Sequence, residues 1–269
     1  MKAMQSLNVD AAEELRFADG IPQRELREGR YLVRFARSAA EVDRALRLRY
    51  EIFNLELGEG LDASRATERD RDEYDAFCHH LLVIEAATEA IVGTYRLQTG
   101  AMAAAGRGFY SAAEFDLARL PAELLEDSIE LGRACIAREH RNTTALYLLW
   151  KGLAMYIAHN RKRFFFGCCS LTSQDEVEGW RVRALLEREG HVHPLYAVTA
   201  RDAFACGRPV ADAGPVDVQL PRLFRTYLRF GAKVCSPPAI DRAFRTIDYL
   251  VLFDVFAMDG QSQRMFFGD

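Results

Sequence analysis

Apolar residues along the chain change period repeatedly between two and about 3.6, and each change marks an element. Tyr31-Leu-Val-Arg-Phe-Ala36 reads as a strand. Ser38 with Glu41 three residues on is a capping-box signature. Val42, Leu46, Tyr50, Phe53 and Leu57 then recur at helical spacing, which predicts one stripe against a core. Gly58 to Asp75 is charged and aperiodic, hence a loop. His80 to Ala86 and Ile91 to Thr99 read as a hairpin across Ala87-Thr-Glu-Ala90, and Ser128 to Ala137 as a further strand. Leu146, Leu149, Trp150, Leu153 and Ile157 mark one face of a helix from about Thr143 to Asn160. A buried strand follows at Phe164 to Leu171, then helices at Val177 to Glu189 and Pro221 to Phe230, and a last strand at Thr246 to Val255. This order, without repeats or linkers, predicts an α/β fold with one mixed central sheet flanked by helices. Residues 1–29 are polar and weakly patterned, so we expect an arm there and a single domain with a C-terminal elaboration over 30–269.

Charge and composition narrow the classes. The formal net charge of −4 and the absence of long basic runs argue against nucleic acid as a partner. The N-terminal stretch has no apolar segment of signal-peptide length, and the most apolar run, Tyr249 to Met258, is broken by Asp254. The expected location is cytoplasmic, with any membrane contact peripheral to the inner membrane; Met265-Phe-Phe267 is the candidate for it. Six cysteines without C-x-x-C spacing read as reduced thiols, and neither His79-His80 nor His191-x-His193 has partners at metal-ligand spacing, so no metal is expected.

Charged residues inside apolar patterns are the candidate chemistry. Arg49 stands three residues after Leu46 and four before Phe53, beside the apolar stripe, where an arginine needs a carboxylate or a ligand anion. Asp70-x-Asp72-x-Tyr-Asp75 is a receptor for ammonium or guanidinium groups, or simply a solvated loop interleaved with Arg65, Arg69 and Arg71. Alternation in Val92-Gly-Thr-Tyr-Arg96-Leu-Gln98 places Val92, Thr94, Arg96 and Gln98 on one face. In Glu130-Leu-Gly132-Arg133, strict alternation separates Glu130 from Arg133, whereas a bulge at Gly132 brings both to one site; a structural salt bridge is the plain alternative. Arg141, Asn142, Thr143 and Thr144 open the next helix and offer amides to a phosphate or a pantetheine arm, or serve only as a cap. The glycine-rich pyrophosphate loop of acetyl-CoA-dependent enzymes is missing there. Arg161-Lys162-Arg163 and the series Arg222, Arg225, Arg229, Lys233 are candidate surfaces for an acidic carrier protein.

In order and spacing, Arg49-x-x-Ile52-Phe53, Asp70-x-Asp72-x-x-Asp75, Arg96 and Glu130-x-x-Arg133 resemble the acyl-homoserine-lactone synthases over roughly residues 30–175, with Asp70 where that family has glutamate. Cys235-Ser-Pro-Pro-Ala-Ile-Asp241-Arg242 and Thr246-Ile-Asp248 resemble the C-terminal signature of the hemolysin-like ornithine N-acyltransferases. The resemblance implies a GNAT-like, acyl-CoA N-acyltransferase-type fold. It also implies transfer of a 3-hydroxyacyl group from acyl carrier protein to the α-amino group of L-ornithine, the first step of ornithine-lipid synthesis, with the acyl carrier as co-substrate and no further cofactor. On that footing Glu130 is the expected general base and Gly132 part of the acyl-pantetheine site. Arg49, Phe53, Asp70, Asp72, Asp75, Arg96 and Arg133 would contact the amino acid. An N-acyl amino acid synthase acting on glycine or tyrosine and a non-catalytic carrier-binding module stay open beside it.

Overall fold

The computed structural model describes residues 16–209 and 220–268. Its N-terminal half contains β1 (Leu26–Glu28), β2 (Tyr31–Phe35), α1 (Ala39–Tyr50), α2 (Ser64–Thr67), β3 (His79–Glu85), β4 (Ala90–Thr99), α3 (Gly100–Ala105), α4 (Ala122–Glu126) and β5 (Ser128–Ile136). Then come α5 (Thr143–His159), β6 (Phe164–Leu171), α6 (Glu176–Arg188), α7 (Arg222–Arg229), β7 (Lys233–Val234), β8 (Ala239–Asp241), β9 (Thr246–Asp254) and α8 (Gly260–Phe267). The strands form one mixed sheet in the order β1-β2-β3-β4-β5-β6-β9-β7, with β8 also on β9. Among the strands of the described residues only β5 and β6 pair in parallel, and α5 makes the crossover between them.

Sheet pairing begins inside the stretch read as an arm: β1 pairs with β2, and Ile21 is buried in the main core. Residues 1–15 of that stretch lie outside the described residues. On one sheet face the apolar stripe of α5, including Leu148, Leu149, Leu153 and Ile157, packs over Leu81, Tyr95, Leu97 and Leu131. On the other face lie α1 and the loop after it. Ser38 accepts the Glu41 N–H as predicted, but the Glu41 carboxylate turns to Arg34 and to the Arg37 N–H, so the reciprocal half of the capping box does not form. The helix continues past Tyr50 as a π-helical segment, Glu51–Glu56. That wider turn keeps Phe53 inward but carries Leu57, expected on the core stripe, to 40% exposure.

Two register shifts redirect side chains. The β3–β4 shift between Val83 and Ile84 sends Val92 to the α5 side with Tyr95 and Leu97, so Val92 does not share the face expected for it with Thr94, Arg96 and Gln98. The β4–β5 shift lies between Thr94 and Arg96: Thr94 pairs with Cys135 and Arg96 with Gly132, which leaves one extra residue in β5. This is the bulge, one of the alternatives the sequence left open at Gly132. The left-handed backbone belongs to Arg133 (φ 50°), the next residue.

Candidate active site

The bulge turns Arg133 onto the face that carries Arg96, and α1 brings Arg49 to the same place. There the loop Asp70–Asp75 meets them. Arg49 donates from Nε to Asp70 Oδ2 at 2.7 Å and from Nη1 to Asp75 Oδ1 at 2.7 Å. Arg96 donates from Nη1 to Asp72 at 2.6 Å and to Asp75 at 3.1 Å. Arg133 donates to Asp72 at 3.2 Å, and its Nε lies 3.3 Å from Asp70 Oδ2. Three guanidinium groups therefore neutralise three carboxylates, with Asp70 Oδ1 the one oxygen of the set without a donor. Burial pushes the Asp75 carboxyl up, but Arg49 and Arg96 outweigh it and hold the group far below the usual carboxylate range. Asp72 is lowered in the same way by Arg96 and Arg133 against its burial. Of the readings the sequence left open for this loop, the structure shows the guanidinium one: arginines occupy the aspartates, and the segment is a buried ion-pair network rather than solvated charge.

Beside the network the sheet opens. β5 and β6 pair only from Ser128↔Phe164 to Glu130↔Phe166, while β5 runs on to Ile136 and β6 to Leu171. Divergence starts at a tight backbone approach: a Cβ on Gly167 would lie 2.2 Å from the Leu131 carbonyl oxygen, so only glycine fits there. Beyond it, a cavity of about 500 Å³ passes between the strands from one sheet face to the other. At one end it is lined by Phe53, Glu59, Tyr110, Arg133, Thr246 and Asp248; at the other by Leu131, Leu149, Phe165, Phe224, Tyr227 and Phe253. The first end is polar and the second almost wholly apolar. The β5 main chain from Leu131 to Ile136 has no β6 partner and faces this space.

Gly132, Arg133, Phe53, Arg141 and Asn142, all candidates from the sequence, line the cavity. Arg141 is clamped by Glu56 at 2.6 and 2.8 Å and by the Ile136 carbonyl at 2.8 Å, while Asn142 caps α5 by accepting the Ala145 N–H. Thr143 and Thr144 lie in the first turn of α5 and are not among the lining residues. Glu130 is buried behind the wall: its carboxylate accepts the Tyr110 and Ser111 N–H groups, each at 2.7 Å, and the Ser111 hydroxyl. Burial raises its pKa and these donors lower it, the net direction being upward. Arg161, Lys162 and Arg163 sit past the far end of α5, about 25 Å along a helix of this length from the Asn142 end. There Lys162 bonds the Glu126 carbonyl and Arg163 is held bidentately by Asp254. Phe266, in the apolar stretch expected at a membrane, packs instead on Trp150 and Phe230, while Met265 and Phe267 are exposed.

Asp241 and Asp248, both in the C-terminal signature, meet Glu114 in a second acidic group that the sequence did not bring together. Glu114, Asp241 and Asp248 are all buried, with one carboxylate oxygen of each within 4.8 Å of the others. Asp248 lines the cavity and Glu59 stands near it, bonded by the Thr172 hydroxyl. The available signals were Asp241 and Asp248 of that signature, the latter an acid inside the apolar run of β9. Glu114 had none, because it is brought in by the short turn Tyr110–Ala113, which also supplies the donors to Glu130.

Residues 48–151 match the acetyltransferase (GNAT) domain family. The chain is 34% identical over 244 residues to the L-ornithine N(alpha)-acyltransferase of Rhizobium meliloti (strain 1021), covering 85% of this chain and 81% of that protein. It is 34% identical over 260 residues to the enzyme of the same name from Agrobacterium fabrum, covering 87% and 84%. Against that of Rhodobacter capsulatus the figures are 32% over 258 residues, covering 88% and 94%. Among solved structures, the acyl-homoserine-lactone synthase LasI superposes with a TM-score of 0.48 at 13% identity, covering 90% of this chain and 96% of that one. FeeM, an N-acyl amino acid synthase from uncultured soil microbes, gives 0.48 at 10%, covering 85% and 92%.

Proposed function

The chain belongs to the L-ornithine N(alpha)-acyltransferase family and has the GNAT fold, and from that premise we propose that it transfers a 3-hydroxyacyl group from acyl carrier protein to the α-amino group of L-ornithine, giving lyso-ornithine lipid. The observation that carries this reading is the two-ended cavity. Its apolar end, between the sheet, α5 and α7, suits an acyl chain, and its acidic end suits a cationic amino acid.

The thioester lies where β5 and β6 part, with its carbonyl oxygen against β5 main-chain amides at the bulge. The α-amino nitrogen, once deprotonated, attacks the carbonyl carbon; the C–N bond forms, the C–S bond breaks, and the carrier thiolate leaves and takes a proton. No covalent acyl-enzyme is required. A neutral amine needs a proton acceptor. Glu130, set behind the wall, fills that role through water, and Glu59, on the wall and shifted upward by its burial, is the alternative base. Arg49, Arg96 and Arg133 with Asp70, Asp72 and Asp75 act as the rigid floor of the acceptor end rather than as individual ligands.

The carrier protein approaches α7. Arg222 lines the cavity, and Arg225 and Arg229 continue from it along one exposed helix face. The enzyme works in the cytoplasm, with any contact to the inner membrane peripheral.

Purified protein, 3-hydroxyacyl-acyl carrier protein and a panel of amino acids test the reading through thiol release and product mass. Acyl-ornithine is the expected dominant product, with turnover at least tenfold lower in Glu130→Gln or Glu59→Gln, whichever is the base. Another acyl amino acid would replace the acceptor. Absence of thiol release with every amino acid would overturn catalysis in favour of carrier binding alone.

A further inference from the structure

We propose that Asp248, backed by Glu114 and Asp241, receives the side-chain ammonium of the acceptor and thereby selects a basic amino acid over an uncharged one. This rests on the reading of the chain as an amino-acid N-acyltransferase and assigns the acceptor selectivity of that site to residues other than the Asp70–Asp75 loop.

Every carboxylate of the Asp70–Asp75 network faces a guanidinium, whereas the cation whose field reaches Glu114 is Arg133, already shared between Asp70 and Asp72. The other nearby arginine, Arg242, is turned to Glu176 at 3.2 Å. The cluster is therefore short of positive charge while nearly shut off from water: Glu114 is 1% exposed and Asp248 3%. A buried anion without a counter-charge is costly, and a bound cation removes that cost.

Open acceptor positions point the same way. Asp248 Oδ2 accepts the Thr246 hydroxyl at 2.9 Å, and Asp241 Oδ1 accepts the Ala243 and Phe244 N–H groups at 2.8 Å each. Asp248 Oδ1 and Glu114 Oε2 are buried and find no N–H donor among the described residues, and Glu114, once protonated, shares its proton with Asp248. The three carboxylate oxygens here fall within 4.8 Å of one another. Magnesium or calcium asks for roughly six or more oxygens at shorter range, and the neighbours here include Cys168 and apolar side chains. Asp248 reaches the cavity wall beside Thr246 and Glu59, at the end where the bulge presents Gly132 and Arg133 to the thioester. An acceptor held there by its side chain directs its α-amino group toward that bulge. Burial lifts the Asp248 carboxyl to about 6 and lifts Glu114 well above the usual carboxylate range, so near neutral pH Asp248 carries the charge while Glu114 stays protonated and hydrogen-bonded to it.

The test compares kcat/KM for ornithine with that for norvaline, which has the same carbon skeleton and no side-chain ammonium, in wild type, Asp248→Asn and Glu114→Gln. Circular dichroism and thermal unfolding check that each variant is folded. Wild type is expected to favour ornithine by at least about 100-fold, the scale of an unpaired buried polar group. The ratio should collapse at least tenfold in either variant, mainly through the KM for ornithine. A ratio unchanged within twofold in both variants would overturn the proposal, as would equal losses on the two acceptors. So would activity that requires added magnesium or calcium in wild type and loses that requirement in Asp248→Asn. If wild type acylates no amino acid, the functional reading fails by itself, and calorimetric titration with ornithine and 1,4-diaminobutane decides the inference. Saturable binding lost in Asp248→Asn upholds a cation receptor; no binding to wild type refutes it.

Discussion

Two groups of buried acids lie on the same sheet face and are built on opposite principles. Asp70, Asp72 and Asp75 are matched one for one by Arg49, Arg96 and Arg133, which come from a helix, a strand and a bulge. Glu114, Asp241 and Asp248 have no such guanidinium partners among the described residues. Matched charge fixes structure, since each carboxylate ties a long loop to the sheet, and it leaves little capacity for a substrate ion. Unmatched charge costs stability and keeps the capacity to bind. A count of carboxylates by sequence position points to the first group as the ligand site, and the three-dimensional charge balance points to the second.

Breaking the matched group should have the largest effect. Arg49→Met leaves Asp70 and Asp75 without their main counter-charge in a place where Arg49 itself is fully buried, and should cost about 3–5 kcal/mol in urea unfolding. The unmatched group should respond with the opposite sign. The folded-state pKa of Asp248 is raised, so the folded protein binds the extra proton between the ordinary carboxylate range and about 6. Wild-type stability should therefore fall as pH rises through that window, with the full cost present above it. Asp248→Asn removes the cost: near pH 4 the variant and wild type should unfold alike, and at pH 7–8 the variant should be the more stable by about 2 kcal/mol. Asp72 and Asp75, whose pKa values are lowered, slope the other way, contributing stability above the ordinary range that is lost on acidification. Unfolding measured across pH in the two variants separates these contributions.

Much of this was legible in the sequence, for reasons that also explain what was not. Periodicity located α5 and β6 because both are bounded by clear polar breaks and bury a continuous apolar face. The convergence of Arg49, Arg96 and Arg133 was readable because each interrupts an apolar pattern. Which side of the bulge carries the left-handed residue was not, since Gly132 is the ordinary occupant of such a site and Arg133 holds it through its ion pairs and its stacking between Tyr110 and Phe244. Leu57 was misplaced because a π-turn leaves no mark in spacing. Glu114, on a turn between short helices, reaches the acid cluster only through tertiary contacts. The link between Glu130 and Ser111 spans a segment with no periodic signal, so nothing local announced it.

Exposed charge gives the smallest effect and completes the contrast between charge that is matched and charge that is free to meet a partner. Arg163 is basic and exposed, yet Asp254 holds it bidentately and Phe164 and Phe256 flank it, so it resembles the matched network in miniature. Arg225 and Arg229 stand on the outer face of α7, whose first residue lines the cavity. If an acidic carrier protein docks where its pantetheine can enter, reversing charge on α7 should matter more than at the far end of α5. Arg225→Glu with Arg229→Glu should raise the KM for acyl carrier protein about fivefold at low ionic strength, with kcat for ornithine little changed. The difference should shrink as salt rises, because exposed charges are screened over about 10 Å at 0.1 M. Arg163→Glu should leave that KM within twofold and instead lower the melting temperature slightly through repulsion from Asp254. The reverse ranking, with Arg163→Glu the stronger carrier defect, would move the docking face to the basic trio beyond α5. It would also mean that bidentate pairing at a surface does not remove a charge from recognition.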